Sequence, residues 1–241
     1  MTPKNKVFPP APVPRAIAAA ALVSAALGAL PATAQQTPWY LGLSIGESKT
    51  DSALVTNRES NITYAYNFST AFDSKDTAWR ALLGYRVHPN LAVEAGYADY
   101  GRTRMFTTFN VQVGATGAGA ILTDRDVKGF GADLALTWPV MDDFALLARL
   151  GYFRAESKAT ATLSGDVVFS DGTPGTTRTN TNRENLAKFG LGVEWLFAKN
   201  AGMRLEWERL PKVGTPLEGG ASGRTGEADV DAYTIGVVWR F

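Results

Sequence analysis

The chain has 241 residues, of which 45% are hydrophobic and 20% charged, with a formal net charge of +1, one histidine and no cysteine. Neither a basic excess nor an acidic one is present, so nucleic acid is not an expected partner and no solvating tail is implied. The absent cysteines exclude disulfides, thiolate metal sites and cysteine nucleophiles, and His88 alone cannot build a multi-histidine site, so no metal or other cofactor is expected.

At the amino terminus, Lys4, Lys6 and Arg15 precede an apolar run over 16–30 that ends in Pro31-Ala32-Thr33-Ala34. The run is short of the roughly 20 residues a spanning helix needs, and Ala32-x-Ala34 fits the small-residue cleavage rule of a secretory signal peptide. Cleavage is expected after Ala34, which divides the chain into a signal peptide, 1–34, and one domain, 35–241. Removing 1–34 takes three of the 24 basic residues and none of the 23 acidic ones, leaving a net charge of −2. No later segment is apolar for long enough to span as a helix, so the chain is either soluble outside the cytoplasm or crosses a membrane as strands.

Alternating segments predict eight strands, at 39–48, 77–87, 91–101, 127–140, 144–157, 185–197, 201–210 and 229–241. Three connections are tight turns, His88-Pro89-Asn90, Met141-Asp142-Asp143 and Ala198-Lys199-Asn200. The other four, 49–76, 102–126, 158–184 and 211–228, are long and rich in Thr, Ser, Gly, Asn and Asp, and are expected to be loops. Short turns on one side and long connections on the other describe an up-and-down sheet, with a soluble ligand-binding barrel as the competing architecture.

The faces of the strands favour lipid outside. In the last strand Tyr233, Ile235, Val237, Trp239 and Phe241 share one face, while small and charged residues share the other. Phe130 and Trp138, Phe144 and Tyr152, Phe189 and Phe197, and Tyr233 and Phe241 are each eight residues apart on one face. Eight residues rise ~26 Å along a strand, about 20 Å in height at a tilt near 40°. That is one lipid-facing band with an aromatic girdle at each edge. The opposite face collects glycines with Arg80, Arg86, Arg149, Lys188, Arg204 and Arg240 against Glu94, Asp133, Glu194, Glu206 and Glu208. A bore of eight strands is narrow enough for side chains to fill. Counting from the turn at 198–200 sets Glu194 opposite Arg204, and an interior ion pair is expected there. Two readings of the charged set stand: a polar plug that fills the bore and fixes register, or a gate whose ion pairs rearrange to admit ions or small solutes.

On these residues the chain resembles the OmpA-type transmembrane domain and its small relatives, the OmpX-like and opacity-type outer-membrane proteins of Gram-negative bacteria, over essentially all of 35–241. The resemblance is carried by Trp39-Tyr40-Leu41-Gly42-Leu43-Ser44-Ile45-Gly46, by Val93-Glu94-Ala95-Gly96-Tyr97 with Asp99-Tyr100-Gly101, and by the final strand Tyr233 to Phe241. It implies an all-β, eight-stranded antiparallel transmembrane barrel in the outer membrane, with a structural or surface-interaction role. Outer-membrane lipid and lipopolysaccharide would surround it. The barrel assembly machinery would read Tyr233, Trp239 and Phe241 as the insertion signal, and a narrow porin-like channel is the alternative role. The larger OmpA proteins continue into a peptidoglycan-binding domain, and the sequence stops at Phe241, so cell-wall tethering is not expected.

Barrels of this kind also include enzymes, most of which use a histidine. His88 sits in a turn with no nucleophile at catalytic spacing, so no enzymatic activity is expected. The connection 49–76 carries Tyr64, Tyr66, Phe68 and Phe72, and 158–184 carries Arg178 and Arg183. Such aromatics either anchor a host or surface ligand, or extend strands above the membrane and pack against lipopolysaccharide.

Overall fold

The computed structural model describes residues 38–61, 65–113, 115–165, 167, 176–214 and 226–241; the expected signal peptide with Ala32 and Ala34, and Tyr64, lie outside them. The elements are β1 (Trp39–Thr50), α1 (Ala53–Asn61), β2 (Ala65–Asp73), β3 (Lys75–His88), β4 (Leu91–Val113), β5 (Ala115–Pro139), β6 (Phe144–Gly165), β7 (Thr177–Ala198), β8 (Ala201–Gly214) and β9 (Glu227–Arg240).

Eight strands close into a ring in the order β1, β3, β4, β5, β6, β7, β8, β9, with β1 paired to both β3 and β9 and every pairing antiparallel. Closure leaves no unpaired edge within the ring, the condition for a sheet to sit in lipid. The ninth strand, β2, lies in line with β3: β3 pairs the lower part of β4 (Trp79↔Asp99) and β2 pairs its upper part (Asp73↔Arg104). The break falls at Ser74, opposite the bulge at Gly101, whose φ is +74°.

The eight expected strands are all present, but the long connections are not the loops the composition suggests. Only residue 114 separates β4 from β5, so most of 102–126 is hairpin, and β6 and β7 take most of 158–184. The connection 49–76 holds α1 and β2. Above the membrane the outer face no longer has to be apolar, so these extensions mix Thr, Arg, Asp and Asn with scattered apolar residues such as Met105, Phe106, Phe109, Ile121 and Leu122, and neither face keeps an unbroken apolar period that would mark a strand. Two of the tight turns are shorter than expected, Pro89-Asn90 and Lys199-Asn200, with His88 closing β3, whereas the third also takes in Val140 and runs over 140–143.

Outside, Leu134 in the lower part of β5 is 52% exposed, with Phe130 (68%) and Trp138 (65%) four residues to either side of it. Phe144, Tyr152, Phe189, Phe197 and Tyr233 are likewise exposed, and Trp239 and Phe241 partly so. The lower ring continues through Trp39 and Tyr85 (centroids 4.8 Å apart) and through Phe144 stacked on Trp195 at 6.0 Å. The upper ring runs Trp79, Tyr97, Phe130 with centroids 5.5 and 5.0 Å apart, and Phe189 meets Trp207 at 5.8 Å. The large aromatic residues thus gather at two heights with aliphatic side chains between, the arrangement of a bilayer-facing wall.

Candidate functional site in the barrel bore

The inward side chains stack in layers. Near the turn end is an apolar layer of Tyr40, Leu82, Ala92, Ala135, Leu147 and Val238. Tyr40 is fully buried because its cross-strand partner is Gly84: a Cβ there would stand 2.1 Å from the ring. The ring therefore lies on bare backbone, and its hydroxyl donates to Glu94 Oε1 at 2.5 Å.

The charged residues assigned inward come together here. Glu194 and Arg204 are Cα partners across β7 and β8, and Arg204 Nε donates to Glu194 Oε2 at 2.7 Å. Arg204 Nη1 also reaches Glu94 Oε1 at 2.7 Å, and Arg149 closes on the other oxygen of Glu94. Arg240 pairs with Glu194, and Arg86 approaches the same carboxylate at 3.6 Å, both at the turn end of the bore. Higher up, Arg80 pairs with Glu206 and, at 3.1 Å, with Glu208. Lys188 Nζ lies 2.9 Å from Glu208 and 3.1 Å from Asp133, and Arg149 Nε links the halves at 3.3 Å from Glu206. All eleven residues face the bore, nine of them buried and Arg86 and Arg240 half-buried. Alternation is enough to find this set, since each sits on the face opposite the lipid-facing residues.

Two members escape alternation-based reading because aromatics were sought outside. Tyr40 is one; the other is Tyr100, buried, donating to Glu208 and packed edge-on to Phe153 at 5.5 Å. The glycine opposite Tyr40 was the available signal. Tyr100 and Phe153 belong to a second apolar layer with Val127, Leu210, Val213 and Val230.

Above this layer, beyond the upper aromatic ring, lies Arg125. It is buried, and it donates to Ser157 Oγ at 3.2 Å, to the Gly226 carbonyl at 3.0 Å and to the Val213 carbonyl. Burial among neutral acceptors pushes its guanidinium down to about 10. Higher still, Leu54 of α1 inserts between Met105 of β4 and Ala228 of β9. Neither was a candidate from the sequence, because both fall in segments whose composition suggests loops.

His88 is exposed at the end of β3, and the Asn90 backbone N–H points to its Nδ1 at 3.4 Å. Phe68 packs on Phe109 with centroids 6.0 Å apart and Phe72 lies against the Leu54 cluster, so these aromatics belong to β2; Arg178 and Arg183 are on β7, where Arg183 pairs with Glu156 at 2.8 Å.

An antiparallel sheet closed on itself, apolar outside between two aromatic rings and charged within, defines a transmembrane β-barrel of the bacterial outer-membrane class. The description "OmpA-like transmembrane domain" matches residues 34–241, and the chain belongs to that family and to the outer membrane. It is similar to outer membrane protein A of Klebsiella pneumoniae, 27% identical over 219 residues that make up 90% of this chain and 54% of that protein. The chain thus spans about half the length of that curated relative. Among solved structures it is similar to Neisserial surface protein A (12% identity, TM-score 0.41, 86% of this chain and 100% of the other). It is similar also to the outer membrane protease OmpT of Escherichia coli (12% identity, TM-score 0.41, 87% and 99%). At such identities the likeness concerns the fold alone.

Proposed function

We propose that the barrel is a non-enzymatic, structural protein of the outer membrane, that its bore is plugged by its own side chains, and that it meets partners through the wall raised above the membrane. The observation that carries this reading is the filled bore: charged and apolar layers alternate along it, and the interior cavities described are each about 10 Å³, room for a water molecule and little more. Charges so deep in a narrow bore are tolerated because each has an opposite charge beside it. Nothing in the surroundings of His88 supports catalysis, since it is exposed at a turn on the side of the short connections.

Lipid and lipopolysaccharide around the girdle, the assembly machinery reading the last strand, and a host or surface ligand at the wall are the partners this reading implies. Tyr66, exposed on β2, is the aromatic best placed for such a ligand, whereas Phe68 and Phe72 are engaged within the wall. Comparing attachment of cells carrying the full chain with cells carrying a deletion of 53–72 tests that contact; unchanged attachment removes this segment from consideration.

A narrow channel is the second reading. It is favoured by Glu194, whose carboxylate is shared among three cations, Arg86, Arg204 and Arg240, two of them only half-buried at the turn end, and so has partners ready for an exchange. Planar-bilayer recording decides between them. The plug predicts negligible conductance from the unaltered protein and from Glu194→Ala; steps that appear in Glu194→Ala establish the gate.

A further inference from the structure

We propose that the bore carries a second closure, independent of the ion-pair network and placed above the membrane, made of the α1 lid and a guanidinium staple from Arg125. It rests on the plugged-bore reading and deepens it.

The staple spans the ring. Counted around the barrel, β5 stands three places from β8 and four from β9, yet Arg125 of β5 donates to the carbonyl of Val213, near the end of β8, and at 3.0 Å to that of Gly226, the residue before β9. One side chain thus ties the inner ends of β8 and β9 to the opposite wall, while its Nε is steadied by Ser157 of β6 at 3.2 Å. The backbone bends to allow this. Register slips between Leu210 and Val213, Lys212 takes φ +54°, and Gly214 takes φ +151°. A Cβ on Gly214 would lie 2.7 Å from the Arg125 guanidinium and 2.1 Å from the Gly226 carbonyl, so only glycine lets the strand come so close. The bent end is held from β7 as well, where Asn182 Nδ2 donates to the Gly214 carbonyl at 3.0 Å and the Gly214 N–H donates to Glu184 at 2.7 Å.

The lid lies over the staple. Asp51 accepts the Ala53 N–H at 2.7 Å and starts α1, and Thr70 of β2 donates to Glu59 at 2.6 Å near its far end. Between these ties the helix sends Leu54 into the bore, against Met105 and Ala228, from opposite sides of the opening. Leu54 and Arg125 line the same small cavity, with Thr103 and Ala159. Among the described residues, the ion pairs of the network run between its own members and do not include Arg125, and the apolar layer of Tyr100, Val127, Phe153 and Val230 lies between. Two closures separated by an apolar layer open independently. A nine-residue helix held by a tie near each end and one buried leucine is also weak enough to lift without unfolding the barrel.

The chain has no cysteine, so one introduced thiol reports on the lid alone. In Ala159→Cys, a charged, membrane-impermeant thiol reagent added outside intact cells should react slowly, and the rate should rise more than about tenfold when Leu54→Ser and Arg125→Gln are added. Heat-modifiability on gels checks that each variant is a folded barrel, and Arg125→Lys with Leu54 intact serves as the milder lid variant should the double change fail to fold. Fast labelling of Ala159→Cys alone overturns the closure, as does unchanged slow labelling after both lid substitutions. Conductance from the unaltered protein is read separately: a conducting protein sinks the plug, whereas a non-conducting one with a reactive Cys at 159 sinks only the upper closure.

Discussion

Glu194 and Arg204 stand as direct partners across the β7–β8 hairpin, and their side chains meet at 2.7 Å in a buried layer that also includes Glu94, Arg149 and Arg240. Glu194→Ala removes the carboxylate that Arg86 and Arg240 pair with among the described residues and leaves Arg204 paired with Glu94. The uncompensated buried charge should cost about 3–5 kcal/mol. Urea unfolding followed by tryptophan fluorescence should give that loss, and the double variant with Arg204→Ala should lose less than the sum of the two single changes.

Tyr40 lies on Gly84 so closely that no side chain fits between ring and backbone. Gly84→Ala should turn the ring away, part its hydroxyl from Glu94 and cost about 1–3 kcal/mol by overpacking and the lost bond. Tyr40→Phe keeps the ring and removes only the hydroxyl, so it should cost less. Equal losses from the two substitutions would mean that the ring can move aside freely.

The outer wall separates lipid from water by height. Leu134→Arg, midway between Phe130 and Trp138, should destabilise the folded barrel by about 2–4 kcal/mol in lipid vesicles. Phe106→Arg sits 41% exposed on the same side of the sheet above the upper ring, and should change stability by about 0–1 kcal/mol. Equal effects at the two heights would contradict the placement of the membrane.

Above the upper ring Arg209 grips Asp231 with two bonds, Nε to Oδ1 at 2.8 Å and Nη2 to Oδ2 at 2.7 Å, and the Trp207 indole adds a third at 3.0 Å. The hydrogen bonds from Arg209 hold the Asp231 carboxyl below its usual range. A carboxylate whose folded pKa is depressed adds stability above its unfolded pKa, near 3.9, and that stability is lost as pH falls through the lower folded value. Amide protection factors in the upper parts of β8 and β9, taken relative to the intrinsic exchange rate at each pH, should therefore fall as the medium is acidified below about pH 4. Asp231→Asn should flatten that dependence; a variant that keeps it would assign the acid response elsewhere.

The sequence by itself determined the eight-stranded barrel, because a side-chain period of two is local: each strand carries its lipid face and its bore face in its own residues, and the tight turns fix which strands are neighbours. For the same reason the inward charged set, from Arg80 to Arg240, and the facing of Glu194 and Arg204 were legible by counting from a turn. Only the tertiary structure decided what lies above the membrane and across the bore. The extensions of β4 to β7 interrupt their apolar residues, such as Met105, Phe109 and Ile121, with Thr, Arg and Asp on both faces, so no sustained apolar period marks them as strands. The ties from Tyr40 to Glu94, from Arg125 to Val213 and Gly226, and from Leu54 to Met105 and Ala228 join residues far apart in sequence. Those distances are set by ring closure and by a local bend at Gly214, neither of which a single strand encodes.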